Sequence, residues 1–86
     1  MILGGPIAPQ DIPALCRRAC ALVERNDADL VVCDVGALVE PDVVAVETLA
    51  RVHLTVRRLG RLVRVRNSCR ELRELLAFMG LADILR

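Results

Sequence analysis

Aromatic residues are almost absent from this chain of 86 residues. Phe78 is the only one, and the sequence has no tryptophan and no tyrosine. Proteins that bind RNA or single-stranded DNA stack bases on aromatic side chains, so the composition argues against that class. A net charge of +1 also argues against a strongly basic DNA-binding protein. We therefore expect no nucleic-acid partner.

Long apolar runs are lacking as well. No stretch of the sequence approaches the roughly 18 apolar residues of a membrane span. Residues 1–9 lack the basic start and the apolar centre of a signal peptide. These two observations predict a cytoplasmic protein that does not span the membrane.

Lysine is absent too, so all twelve basic residues are arginines. Residues 1–43 hold three arginines and seven carboxylates, a net charge of −4, whereas residues 44–86 hold nine arginines and four carboxylates, a net charge of +5. This asymmetry predicts a bipolar surface. The alternation in residues 61–66 sends Arg64 and Arg66 to one face of a strand, which would leave that face open. Solvated surface arginines are the simpler explanation of the pattern, and a basic patch is the alternative.

Apolar residues make up 55% of the sequence. At this length they predict one domain over residues 1–86 with a core of aliphatic side chains. Cys16 and Cys20 stand four apart, a spacing that would allow two metal ligands on a helix. Both also lie on the predicted apolar face, and a reducing cytoplasm disfavours disulfides. We expect buried thiols, no metal and no cofactor.

The apolar periodicity predicts strands that alternate with helices, and hence an α/β fold with a mainly parallel sheet and right-handed crossovers. The continuous apolar run at 30–35 is typical of a strand buried on both faces. The apolar segment 81–85 should pack back onto the domain. The pattern predicts a short edge strand or extended arm within 1–7, a helix over 12–25 capped by Asp11, and a strand over 30–35. A helix should then run from the cap Asp42 to Gly60, followed by a strand over 62–65. The last predicted helix covers 69–79, opens with a Ser68–Glu71 capping box and ends at Gly80.

Few residues of this sequence stand at spacings typical of a catalytic or ligand-binding site. His53 is the only histidine, no nucleophile stands at a recognisable spacing from it, and a packed, hydrogen-bonded histidine is the simpler interpretation. The loop 36–41 leads into Asp42 at the carboxyl end of a parallel strand, where open α/β sheets bind ligands. An aspartate at a helix N-terminus is equally an ordinary cap. The spacing alone leaves both interpretations open.

Three segments together resemble the STAS domain, the module of anti-sigma factor antagonists and of sulfate-transporter tails. They are VVCDVGALVEPD, with Asp34 and Asp42 eight residues apart, RRLG at 57–60, and ELRELLAFMGLADIL at 71–85. The resemblance covers residues 3–85. It implies a sheet of four strands or fewer with the helices chiefly on one face and a first strand that is short or missing. It also implies a non-catalytic binding module.

One residue departs from the STAS pattern. In antagonists that are switched by phosphorylation, a serine follows two residues after the second aspartate, and here that position is Val44. The resemblance therefore implies a bacterial regulatory module that phosphorylation does not switch at this position. It assigns partner binding to Asp42, Val43, Val44 and Glu47, with a GHKL-type kinase or anti-sigma factor as the partner.

Two other functions remain open at this stage. The chain would serve as an accessory subunit of an ABC-type lipid transporter that binds the ATPase, or as an enzyme or small-ligand binder that uses residues 36–42. A homodimer is a further expectation, because a short N-terminal edge strand and an open sheet face both allow pairing with a second copy.

Overall fold

The computed structural model of the protein describes residues 1–27, 29–38 and 42–85. Strands and helices alternate along these ranges, so the predicted α/β fold class is confirmed. Within them, no helix combines the length and the apolar character that crossing a membrane requires. The strands are β1 (Ile2–Gly4), β2 (Leu30–Ala37) and β3 (Leu62–Arg66), and the helices are α1 (Ile12–Asn26), α2 (Val43–Arg58) and α3 (Arg70–Phe78).

The sheet has β2 in the middle, with β1 and β3 on either side, and both neighbours run parallel to it. Each parallel pair is connected through one helix, so the chain forms two consecutive βαβ units that share β2. The β2–β3 register is regular, whereas the register of β1 shifts between Ile2 and Gly4. The three residues of β1 confirm the predicted short first strand.

Helices cover one face of this sheet. In β2 and β3, buried residues alternate with more exposed ones, as the two-residue period of a strand requires. The predicted packing of helices chiefly on one face is confirmed. The prediction that the run 30–35 is buried on both faces is wrong, because Leu30 and Val32 are only half-buried. An apolar run shows that a strand has two apolar sides, but it does not show that both are covered.

The core lies between the covered face and the helices. α2 occupies the centre, where it contacts α1, β3 and α3. The C-terminal 3₁₀ turn Ala82–Leu85 returns to β3 and buries Ile84, so the predicted docking of the C-terminal segment is confirmed. The largest fully buried side chains are aliphatic, with one threonine and one cysteine among them: Leu49, Leu72, Leu76, Ile84, Val52, Val56, Thr48 and Cys33.

Helix α1 begins at Ile12 as predicted, but the side-chain caps predicted for α1 and α3 are not formed. Asp11 closes a 3₁₀ turn, and its Oδ2 accepts from the backbone N–H of Ala8 at 3.0 Å instead of capping α1. At α3, the residue with cap geometry is Cys69, and no side chain caps this helix. Ser68 stands one residue too early for the predicted capping box, so Glu71 falls at the second helical position instead of the third.

The predicted helix ends are correct. Gly60 and Gly80 follow α2 and α3 with φ of 75° and 77°, a backbone conformation that favours glycine. The N–H of Gly60 donates to the carbonyl of Arg57 at 2.9 Å, and that of Gly80 donates to the carbonyl of Ala77 at 3.1 Å. Both bonds satisfy carbonyl groups that the helix ends would otherwise leave unpaired.

Candidate functional site

The start of α2 is organised by Asp42. Its backbone is extended, and its Oδ1 accepts from the N–H of Ala45 at 3.1 Å. Its carbonyl accepts from the N–H of Val46 at 3.2 Å. The predicted cap is confirmed, and the side chain that the STAS resemblance assigns to partner binding is also a structural part of the helix.

The next residues of the predicted interface differ in exposure. Val43 is 70% exposed, whereas Val44 is half-buried. Glu47 is exposed one turn further along, and its Oε1 lies 3.3 Å from Nε of Arg51. The structure therefore brings Asp42, Val43 and Glu47 together on the surface, with the half-buried Val44 between them.

A buried threonine follows Val44 by one turn. Thr48 is fully buried, and its Oγ1 donates to the carbonyl of Val44 at 2.7 Å. A hydroxyl that is enclosed and engaged in this way is not presented to a kinase. Thr48 thus does not replace the serine that the STAS pattern places at position 44.

The exposed side of α2 continues beyond the residues that sequence reasoning selected. Leu54 is 52% exposed and Ala50 is half-buried, and both follow Glu47 at helical spacing. Sequence reasoning missed these two residues, although a search for apolar residues three or four positions apart along the predicted helix would have found them. We call the following residues the outer stripe of α2: Val43, Glu47, Ala50, Leu54 and Arg58.

A second polar cluster lies where β2 and β3 end. The backbone N–H of Gly36 donates to Asp34 Oδ1 at 2.9 Å, and Nδ2 of Asn67 donates to Asp34 Oδ2 at 3.1 Å. These bonds hold the pKa of Asp34 below its ordinary value, and Arg66 adds to the effect while partial burial opposes it. Asp34 Oδ2 therefore links β2 to the residue that follows β3, whereas Oδ1 forms a local bond within β2.

The loop proposed as a ligand site is described only in part. Residues 39–41 lie outside the described ranges, so the structure places residues 36–38 and Asp42 alone. The carboxylates on either side of the loop, Asp34 and Asp42, each accept a hydrogen bond from a backbone N–H. In the described parts of the chain, no group of three or more histidine, cysteine, aspartate or glutamate side chains is placed to hold a metal.

His53 lies far from this loop, beside β3. It is half-buried, as predicted, but its Nδ1 is buried without a hydrogen-bond partner among the described residues, so the expected hydrogen bond is not found at that atom. The histidine lines a cavity of about 340 Å³ that contains no serine, threonine or cysteine. The other lining residues are Leu30, Arg57, Leu62, Val63, Arg64 and Asp83.

The pKa of His53 lies below its ordinary value because the ring is partly desolvated and Arg57 is close, while Asp83 opposes the shift. A lowered folded-state pKa means that the unfolded chain takes up the proton first. The free energy of unfolding should therefore fall once the pH drops below about 6.5, the ordinary pKa of histidine. Urea unfolding from pH 7.5 to 5 should show this decline in the wild type and less of it in His53→Gln. Parallel curves for the two proteins would contradict the assignment.

The four cysteines are free thiols. Cys33 is buried, and desolvation raises the pKa of its thiol, which keeps it protonated and unreactive. Cys16 and Cys20 are half-buried on α1, whereas Cys69 is exposed. The expectation of buried thiols is therefore confirmed for Cys33 and wrong for Cys69, which is exposed at the N-cap position of α3.

The described residues thus present three candidate sites. They are the exposed face of α2 that begins at Asp42, the hydrogen-bonded cluster around Asp34, and the cavity beside His53. The outer stripe of α2 is the only one of the three that combines exposed apolar side chains with charged ones. No protein-family model matches the chain, and no curated protein matches it.

Proposed function

We propose that the protein is a non-catalytic regulatory module that binds a protein partner through the outer stripe of α2. The observation that carries this proposal is the exposure of Val43 at the start of the helix and of Leu54 three turns later. Apolar side chains on one side of a helix, left uncovered by their own domain, are typical of a surface that packs against another protein.

The resemblance to STAS domains supports the same surface. It points to the start of this helix, and it makes a GHKL-type kinase or anti-sigma factor the first partner class to test. Val44 has no hydroxyl, and Thr48 is enclosed. Both facts support a contact that phosphorylation does not switch at this position. The absence of a nucleophile around the cavity of His53 also supports a non-catalytic role.

Val43→Asp is the sharpest test of this surface. The side chain is exposed, and a carboxylate in the first turn of a helix is favourable, so the variant should fold normally. A charge in the middle of an apolar contact should weaken partner binding at least tenfold. Affinity purification of the tagged protein from its native cell, with mass spectrometry of the partners, measures the loss.

The control is Phe78→Asp, which removes an exposed apolar side chain from α3 instead of α2. We prefer Val43 to Val44 because a substitution at the half-buried Val44 would also disturb packing. Recovery of a kinase-like partner that is lost only in Val43→Asp would support the proposal. A transporter ATPase lost in the same way would assign the surface to the accessory-subunit alternative, and unchanged binding would refute it.

A further inference from the structure

The sheet has a face that no described element covers. We call it the open face. Ile2 and Leu62 are 67% and 54% exposed there, although both are large aliphatic residues. The residues of the open face are Ile2, Leu30, Val32, Asp34, Leu62, Arg64 and Arg66.

An uncovered face is unusual for a sheet of this kind. Parallel sheets occur almost only with both faces covered, usually by helices. Both strand pairs here are parallel, yet the three helices pack on the opposite side. The architecture therefore favours a second layer supplied from outside the described residues.

The charges on the open face indicate the chemistry of that layer. Arg64 and Arg66 lie on β3 and form no ion pair with any described residue. Asp34 is the acidic residue in register with Arg66, and its carboxylate offsets part of the positive charge of the two arginines. The open face is thus an apolar surface beside two arginines and one aspartate, so its charged residues carry a net positive charge.

We propose that the open face binds an acidic amphipathic helix of a partner protein. The apolar side of this helix would pack on Leu30, Val32 and Leu62, and its carboxylates would pair with Arg64 and Arg66. Residues two apart on a strand are separated by about 6.6 Å, and residues four apart on a helix rise by about 6.0 Å. The partner helix should therefore carry two acidic residues four positions apart beside its apolar stripe.

A second copy of this chain fits the open face less well. A two-fold dimer brings the same patch of both copies together. Each copy would then bring two arginines and one carboxylate, that of Asp34, to the interface, and the net positive charge of both surfaces opposes association. An acidic helix removes this conflict.

The open face and the outer stripe of α2 lie on different sides of the molecule, because α2 packs on the covered face of the sheet. The inference is therefore independent of the function proposed for α2. One protein could contact both surfaces, or two proteins could contact one each.

Site-specific photocrosslinking in the native cell tests the inference. A photoreactive benzoylphenylalanine replaces Leu62 on the open face, and in a control protein it replaces Glu24, which is exposed on α1. We expect the photoreactive residue at position 62 to crosslink to a segment of the partner protein that has an apolar stripe and two carboxylates four residues apart. The double change Arg64→Glu and Arg66→Glu should reduce that crosslink at least fivefold, whereas Arg25→Glu should leave it unchanged.

Several results would overturn the inference. They are a crosslink to a second copy of the chain, a crosslink to lipid only, a crosslinked segment without acidic residues, a yield no higher than that at Glu24, and a yield insensitive to the arginine changes. Circular dichroism of the double variant confirms that it folds, since exposed positions tolerate charge changes. If the photoreactive residue at position 62 gives no specific crosslink while Val43→Asp loses its partner, the open-face inference is refuted and the α2 proposal stands.

Discussion

Replacing Leu49 by alanine should lower the free energy of unfolding by about 2–5 kcal/mol. Leu49 is fully buried in the middle of α2 and belongs to the core cluster. Truncation removes apolar contacts and leaves a cavity that neighbouring aliphatic side chains fill only in part. A small domain has a total stability of about 5–15 kcal/mol, so this one change should remove a large share of it.

Leu54→Ala is the matched control, because it makes the same substitution in the same helix at an exposed position. Any change in intrinsic helix propensity is shared by the two variants. Urea unfolding followed by circular dichroism should give a difference of no more than about 0.5 kcal/mol for Leu54→Ala. Equal losses in the two variants would mean that α2 does not face the core as described.

Replacing Ile84 by alanine should cost a similar amount, about 2–5 kcal/mol. Ile84 lies outside the three helices, in the C-terminal 3₁₀ turn, and it is buried against the core. The turn contacts both β3 and α3. Because Ile84 is the only fully buried residue of this turn, the truncation should loosen the whole C-terminal segment from the sheet.

Phe78→Ala is the control for this second prediction. Phe78 is 87% exposed at the end of α3, so deleting the largest apolar side chain of the protein should change stability by less than about 0.5 kcal/mol. Thermal unfolding by calorimetry should show a clear loss for Ile84→Ala and almost none for Phe78→Ala. A larger effect at Phe78 would place that side chain in the core and contradict the packing of the C-terminal segment.

The order of elements was predictable because it depends on local patterns. Apolar periodicity, the Asp42 cap and the terminal glycines Gly60 and Gly80 all act within a few residues of the chain. The cap of α3 was mispredicted because serine is a common cap residue, whereas the backbone gives the cap conformation to Cys69, and the sequence does not display backbone geometry. The uncovered side of β2 was also mispredicted, since burial of a strand depends on how many layers pack against the sheet.

The candidate site was predictable only in part. Asp42, Val43 and Glu47 lie on the surface, whereas Val44 is half-buried, and the sequence does not show this difference between the two neighbouring valines. Leu54 was not predicted as part of the site, because the residues that the STAS resemblance assigns to partner binding lie at the start of α2. The missing hydrogen-bond partner of His53 Nδ1 depends on contacts between distant segments, and no local pattern encodes it.

The arrangement of the strands also bears on how the chain reaches its native state. Ile2 pairs with Asp34, and Leu30 pairs with Leu62, so both pairings join residues 32 positions apart. None of the described strands pairs in a hairpin that would provide a short-range start, and the loss of entropy on closing these loops precedes any gain from the sheet. Folding should therefore be slower than in a helical bundle of this size. Its rate should depend on how early the central strand is joined by the segments on both sides of it.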